Sequence, residues 1–323
     1  MDVNLEGKKV LFIGPAFYDY HTLIKKKIQD LGANVTFHPE MRGAFFIAIL
    51  NTVWPYLIVL NQKIYYYYLW LLIKDKDYTH FLLIRGYKFP NFFIKKIKAK
   101  NPNIECIMYQ WDSNKNDPYY HLIDYFDKVY TFDYKDYKEQ EKLRFLQLFY
   151  TEDIDKINKK DDAPVKYTFF CLSAFTLSRY QAILSFTDFC DKNNFKLKSY
   201  CYIPYKTYIK YKYLKRIPLD KNLLSFKSLP RNQYLEFLEN SAIVVDFNHA
   251  NQTGLSMRVI ETYGARKKIF TTNLSILDNP IFSPSWVQTL DLERIEMPIY
   301  AGDINLEDME DLSFDTWVKV LFS

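Results

Sequence analysis

Three observations predict two Rossmann-like α/β domains with a cleft between them. Short apolar strands alternate with helical periodicities through both halves of the chain. A stretch rich in Lys and Asp, TEDIDKINKKDDAP (151–164), separates those halves and has no apolar period. The unit IVVDFNHANQTGLSMRVIETYGARKKIFTTN (243–273) gathers polar groups where a strand meets a helix, the edge at which open α/β sheets bind ligands. The expected domains are 1–150 and 165–323, with a helix in the last residues, DLSFDTWVKVLFS, able to pack back on the first domain.

KKVLFIGP (8–15) is an apolar strand ending in Gly-Pro. In YHTLIKKKIQDLG (20–32), Leu23, Ile24, Ile28 and Leu31 share one helical face, and Gly32 is a C-cap. ANVTFHP (33–39) and FLLIRG (81–86) are strands, and a basic helix covers 90–100. ECIMYQWD (105–112) and KVYTFD (128–133) are strands around the short helix PYYHLIDYF. Such alternation gives a parallel sheet covered by helices. After the linker it resumes with a strand at 167–173, a helix at 179–194, a strand at 196–204 and a helix at 231–241, followed by the unit at 243–273.

The 323 residues suit two domains, and an apolar share of 49% supplies a core for each. The net charge of +5 is spread among mixed acids and bases, with no basic block of the kind that binds nucleic acid. Mild positive charge suits anionic ligands or an anionic bilayer surface. Four scattered cysteines without a CxxC pair read as reduced thiols of a cytoplasmic protein, and the polar N-terminus is not a secretory signal. The 28 Tyr and 26 Phe fit an AT-rich genome, a sugar-stacking surface or contact with a membrane interface. The segment 44–73 is strongly apolar, but polar residues break it below the ~20 apolar residues of a span. It reads as two buried or interfacial helices, with Tyr65–Tyr68 and Trp70 of the type favoured at headgroup level. Core packing is the favoured alternative.

Neither G-x-G-x-x-G nor a P-loop occurs, which argues against an NAD enzyme or a kinase. In 243–273 an apolar strand ends on Asp246 and a helix starts near Leu255, closed by Gly264. Gly254 and Ser256 can offer donors to a diphosphate, Arg258 a fork of N–H groups, and Glu261 an acceptor for ribose hydroxyls. The alternative is a surface Arg258–Glu261 pair worth ~0.2–0.5 kcal/mol. Asp246, Asn248, His249, Gln252 and Thr253 enrich the same loop in hydrogen-bonding types and favour a ligand site. In YQWDSNKNDP (109–118), Trp111 and Asp112 reach a strand end, where Asp112 is either a general base toward an acceptor hydroxyl or the cap of a turn. Asp19 and His21 follow the first strand as candidates for acceptor binding or base chemistry. Gly14 admits a substrate to the strand end or makes a simple turn, and Arg85 meets an anion or pairs with an acid. DKD (75–77) resembles a metal-holding DxD, but flanking lysines and the preceding helical run make it an exposed turn.

WDSNKN (111–116), FDKVYTFDYKD (126–136), LRFLQLFY (143–150) and QTGLSMRVIETYGARKKIFTTN (252–273) are similar, in order and spacing, to glycosyltransferases of GT-B architecture encoded in bacterial capsule and lipopolysaccharide gene clusters. The resemblance spans roughly residues 8 to 290. It implies a C-terminal domain for a nucleotide sugar and an N-terminal domain for a saccharide or lipid-linked saccharide acceptor. It further implies no bound metal or other cofactor, and a cytoplasmic location, peripheral at the inner membrane. Gly254, Ser256, Arg258 and Glu261 then belong to the donor site, with His249 and Gln252 beside them. Asp112 is the catalytic or acceptor-orienting residue. In FFCLSAFTLSRY, Cys171 and Ser173 stand where relatives have a glycine-containing turn, and Arg179 takes the part of the following Arg. The expected activity is transfer of a sugar to a hydroxyl of a surface-polysaccharide precursor. A sugar-nucleotide epimerase, a pyruvyl-type transferase and a non-catalytic assembly protein are the alternatives.

Overall fold

The computed structural model describes residues 3–16, 20–41, 55–157, 165–248, 253–302, 304 and 311–323. Asp19, His249 and Gln252 lie outside the described residues. The chain forms two compact units, Met1–Gln147 with Asp315–Ser323, and Leu148–Phe314.

The first unit contains β1 (Lys9–Gly14), α1 (Tyr20–Asp30), β2 (Asn34–Pro39), α2 (Pro55–Ile73), β3 (His80–Ile84), α3 (Asn91–Lys100), β4 (Glu105–Gln110), β5 (Lys128–Thr131), α4 (Tyr134–Glu139) and β6 (Arg144–Phe145). Its strands run parallel in the order β2-β1-β3-β4-β5-β6. Strands β1, β3 and β4 are buried almost end to end, as central strands of a parallel sheet covered on both faces must be. The winding reverses between β1 and β3, so the ligand crevice of such a sheet opens at the carboxyl ends of these two strands.

The second unit contains α5 (Glu152–Asp155), β7 (Tyr167–Ala174), α6 (Leu177–Lys192), β8 (Leu197–Tyr202), α7 (Tyr205–Ile209), β9 (Leu224–Ser225), α8 (Arg231–Glu239), β10 (Ser241–Asp246), α9 (Met257–Gly264), β11 (Lys268–Thr271) and β12 (Val287–Thr289). The order β12-β11-β10-β7-β8-β9 is all parallel and is the Rossmann order, with the reversal between β7 and β10. The stretch read from sequence as linker is structured in its first half. Ile154 and Ile157 are buried in a cluster with Phe170, Tyr234 and Leu238. Two apolar residues three apart suffice to seat one helical turn, too little to register as a period.

The terminal helix α10 (Phe314–Phe322) begins at the end of the second unit, and its residues from Asp315 onward belong to the first. Trp317 packs edge-on against Tyr109 at 4.8 Å, and the Tyr130 hydroxyl donates to the Val320 carbonyl at 2.9 Å.

Within 44–73, residues 55–73 form one helix, α2, and 44–54 lie outside the described residues. Ile58, Gln62, Tyr65, Tyr66, Leu69 and Ile73 are buried, while Leu60, Ile64, Tyr67, Tyr68 and Leu71 are exposed. Core packing thus accounts for one face only. DKD forms the turn after α2, with Lys100 3.5 Å from Asp77.

Candidate functional site

In the second unit the switch point is where β7 and β10 end. Asp246 closes β10 and is 2% exposed. Its Oδ1 accepts from Arg258 Nη1 at 2.8 Å and from the Ser256 hydroxyl at 3.3 Å, and its Oδ2 accepts from the Thr271 hydroxyl at 3.1 Å. Helix α9 starts at Met257, two residues later than expected, because Ser256 is the N-cap and accepts from Val259 N–H. On the other strand, Thr176 caps α6 by accepting from Arg179 N–H. The Arg179 Nε donates to the Phe247 carbonyl at 2.9 Å, directly after Asp246.

Two helix N-termini and two guanidinium groups therefore meet at one sheet edge. Burial, and then the neighbouring Arg258, depress the basicity of Arg179, the mark of two cations held close. One carboxylate, Asp246, sits among them. The Arg258 Nε is buried with no hydrogen-bond partner among the described residues. The arrangement has spare donors and a surplus positive charge, which suits a phosphate or diphosphate.

The sequence alternative, an Arg258–Glu261 pair, does not form: these side chains engage different partners. Glu261 is 5% exposed and accepts from Arg231 Nη1 at 2.5 Å. Arg231 also donates to Asp153 at 2.8 and 2.9 Å and to Thr151 at 3.0 Å. Burial pushes Asp153 up, and the bonds from Arg231 and Thr151 outweigh it and hold the carboxyl low. Glu261 thus ties α9 to α8 and α5. Gly264 is the last residue of α9, and a Cβ there would lie 2.3 Å from the Tyr150 ring. Its role is close packing. Gly254 is buried two residues before the Ser256 cap.

Cys171 and Cys201 lie in β7 and β8 of the same sheet. Burial pushes their thiols up to about 12 and about 11, so both stay neutral. All four cysteines are buried and unbridged.

In the first unit the edge is built around Glu40, a residue the sequence reading passed over. It follows β2 and is 1% exposed. Its carboxylate pairs with Arg85 and accepts from Gly86 N–H at 3.1 Å and Tyr87 N–H at 2.9 Å. Arg85 meets this acid, the second of the two sequence alternatives. The clamp holds an unusual backbone, with φ of 63° at Arg85, 75° at Gly86 and 51° at Lys88. A non-glycine residue in this region costs on the order of 1–3 kcal/mol and persists only where its surroundings over-determine it. Gly14 ends β1 beside this loop, and a Cβ on it would approach Phe12 to 2.9 Å and Ile84 to 3.3 Å.

Asp112 Oδ1 accepts from Ser113 N–H and Asn116 Nδ2, both at 3.0 Å, so it makes the turn that was the alternative to a base. Trp111 packs with Tyr20, Tyr109 and Trp317 in an aromatic cluster. His21 lies in the first turn of α1, its ring 4.8 Å from Phe37.

The residue that stands out is Asp117, within the stretch singled out from sequence but not named there. It is 7% exposed. Burial pushes its carboxyl up to about 6, against the pull of Lys88 and Arg85, and Asp112 adds to the rise. None of the described residues donates a hydrogen bond to its carboxylate. Pro118 and His121 line an open groove of about 530 Å³ shared with Gly86, Lys88, Lys63 and Phe92. Asp117 was hidden because its setting comes from β3 and the loop after it, some 30 residues away in sequence.

No family model and no curated protein matches the sequence. Solved structures do match. An apo structure of OtsA is 11% identical, with a TM-score of 0.54 over 88% of each chain. Methanocaldococcus jannaschii UDP-GlcNAc 2-epimerase, in complex with UDP-GlcNAc and UDP, is 10% identical, with a TM-score of 0.51 over 98% of this chain and 93% of its own. The chain has the GT-B fold. MurG of Acinetobacter baumannii is also similar, at 9% identity and a TM-score of 0.48 over 88% of this chain and 86% of its own. At such identities the likeness is one of fold, and the chemistry must be argued from the residues.

Proposed function

We propose that the chain is a glycosyltransferase that moves a sugar from a nucleotide sugar to a hydroxyl of a surface-polysaccharide precursor. The observation that carries this is the pair Arg179 and Arg258 at the switch point of the second unit, with two capped helix N-termini and one buried carboxylate between them. A leaving nucleoside diphosphate gains negative charge as the glycosidic bond breaks. Fixed donors in a low-dielectric edge stabilise that charge more than water does, usually the largest catalytic effect available. Arg179, Arg258 and the two helix N-termini are the chain's own groups for this role.

On the first unit, Asp117 is the better base for an inverting transfer. Asp112 spends an oxygen on its own turn, whereas Asp117 is largely ionised at neutral pH and basic enough to take a hydroxyl proton. A retaining transfer needs no such base, and Asp117 then orients the acceptor.

A thermal-shift panel of UDP-, GDP-, dTDP- and CMP-sugars tests the donor site, since a ligand that binds only the folded state raises stability by RT ln(1 + [L]/Kd). Arg179→Gln is expected to cut the shift sharply, leaving a remnant only at high ligand concentration. This variant is cleaner than Arg258→Ala, because Arg258 neutralises buried Asp246 and its loss would destabilise the protein by itself. An unchanged shift in Arg179→Gln refutes the assignment.

A sugar-nucleotide epimerase is the second reading, because the Methanocaldococcus enzyme of that name shares the fold. Incubation of a labelled sugar nucleotide without acceptor separates the two: an epimerised product favours the second reading, an intact donor the first.

A further inference from the structure

Outside the two edges, charge and exposed rings concentrate in YKTYIKYKYLKR (205–216) of the second unit, inside a stretch described without a gap from 165 to 248. Cations and tyrosines alternate along it, so no basic block registers in the sequence. From Tyr205 to Lys227, seven Lys and Arg stand against one Asp, a net +6 in a chain whose whole net charge is +5, so the remainder is slightly acidic. A face that is merely solvated intersperses both signs. Here Lys210, Lys212, Lys215, Arg216, Lys221 and Lys227 have no acid partner among the described residues.

The lysines stand over rings instead. Lys215 lies 4.7 Å from the Tyr211 ring centre and Lys212 5.3 Å from that of Tyr208. Tyr205 is 63% exposed and Tyr213 64%. Two uncommon backbone features shape the segment. Lys215 N–H donates to the Lys210 carbonyl, five residues back, at 3.0 Å, a widened turn of the kind often found at functional sites. Arg216 holds φ at 54°, where glycine is the ordinary residue.

The segment follows β8, the neighbour of β7. Phe175, directly after β7, donates its N–H to the Tyr202 carbonyl at 2.8 Å and packs edge-on against Tyr211 at 5.1 Å. The next residue, Thr176, caps the helix that carries Arg179. The patch therefore flanks the phosphate edge at the same carboxyl end of the sheet. One phosphate needs one or two cations, and Arg179 and Arg258 already offer them. A row of cations along an exposed segment fits an extended polyanion. Exposed tyrosine rings add a surface for the C–H faces of sugar rings. A second copy of the patch, carrying the same charge, would be repelled.

We propose that residues 205–227 form a docking surface for an acidic polysaccharide, whose anionic groups meet Lys210, Lys212 and Lys215 and whose pyranose rings lie on Tyr205 and Tyr213. The surface stands on its charge and its rings, and the choice of a glycan among polyanions rests on the glycosyl-transfer reading of the adjoining edge.

Equilibrium binding of the full chain to immobilised polygalacturonate and to neutral dextran is measured at about 0.1 M and about 0.5 M salt. Binding to polygalacturonate is expected, weaker at high salt, with none to dextran. K210Q/K212Q/K215Q is expected to weaken it about tenfold, as the loss of three exposed ionic contacts would. Y205A/Y213A keeps every charge and is expected to cost about the same factor. Its melting midpoint should be unchanged, because both residues are mostly exposed. Both variants should keep the wild-type thermal shift with the nucleotide sugar, since neither alters Arg179 or Arg258. Undiminished binding by either variant overturns the proposal, as does wild-type binding no tighter to polygalacturonate than to dextran. Tighter binding to oligothymidylate or to phosphatidylglycerol vesicles also overturns it, in favour of a nucleic acid or a lipid surface as the occupant. Polygalacturonate binding without any nucleotide-sugar shift sustains the surface and sinks the transferase reading instead.

Discussion

Replacing Asp117 by Asn is expected to make the protein more stable at neutral pH while impairing it as a catalyst. Burial lifts this carboxyl from 3.8 to about 6. The folded state therefore keeps a proton that the unfolded chain releases between these values. Stability falls as pH rises through that window and levels off above about 6. About two pKa units at 1.36 kcal/mol each give a cost near 3 kcal/mol at pH 7, and water reaching the carboxylate brings this toward 2. Asn copies the shape of the protonated acid and does not titrate. The difference between D117N and wild type should be small at pH 4 and grow to about 2–3 kcal/mol by pH 7. Denaturant titrations at pH 4, 5, 6 and 7 read it through Trp111 and Trp317, which both lie in the first unit. At roughly 2–4 °C per kcal/mol, the melting midpoint of this unit rises by several degrees at pH 7. If Asp117 is the base, kcat drops by roughly 10²–10⁴ in the same variant, and the wild-type rate climbs with pH through about 6. A stability difference that does not change with pH, or a less stable variant at pH 7, refutes the reasoning about burial.

Other substitutions probe the framework around the two edges. Arg231→Ala leaves Glu261 buried without its cation, and a loss on the order of 3 kcal/mol is expected in denaturant unfolding; a change under about 0.5 kcal/mol, the range of ordinary surface substitutions, would show the network to be idle. Gly264→Ala drives a methyl into the Tyr150 ring, and overpacking of this kind costs about 1–3 kcal/mol. The double variant G264A/Y150A should recover part of that loss if the clash is its cause. Glu40→Gln removes the charge that clamps residues 85–87, with a cost of about 3 kcal/mol and faster amide exchange at Gly86 and Tyr87; unaltered exchange there would contradict the clamp.

The sheets were legible because a parallel strand covered on both faces is a continuous apolar run, as in VLFI of β1 and FLLI of β3. Strands β6, β9 and β12 have two or three residues and leave no such run. The helix after Asp246 and the first-turn place of Arg258 followed from local spacing, whereas the cap at Ser256 did not. The side-chain partners did not either. Arg258 reaches back twelve residues to Asp246, and Glu261 reaches back thirty to Arg231, distances that only the sheet order makes short. Glu40 is the extreme case: it bonds residues 45 to 47 positions later, and nothing near it in the chain marks it as other than a surface acid. Helix α2 misled for the opposite reason. Both of its faces are apolar, so periodicity could not tell the half that enters the core from the half that stays outside.

The two edges differ in sign although their scaffolds are alike. At the second unit's switch point Arg179 and Arg258 face Asp246, an excess of positive charge in the full glare of two helix N-termini. At the first unit's edge Glu40, Asp112 and Asp117 face Arg85 and Lys88, an excess of negative charge. An edge with surplus cations binds a phosphate but deprotonates nothing. An edge with surplus carboxylates repels a diphosphate yet can hold one acid near neutrality: burial raises Asp117 despite two nearby cations, and Asp112 adds to the rise. An inverting transfer from a phosphate leaving group to a hydroxyl draws on both properties. Reversing the sign of one edge is therefore a sharper trial than deleting it: Arg179→Glu should abolish nucleotide-sugar binding outright, where Arg179→Gln leaves Arg258 to retain a residue of it at high ligand concentration.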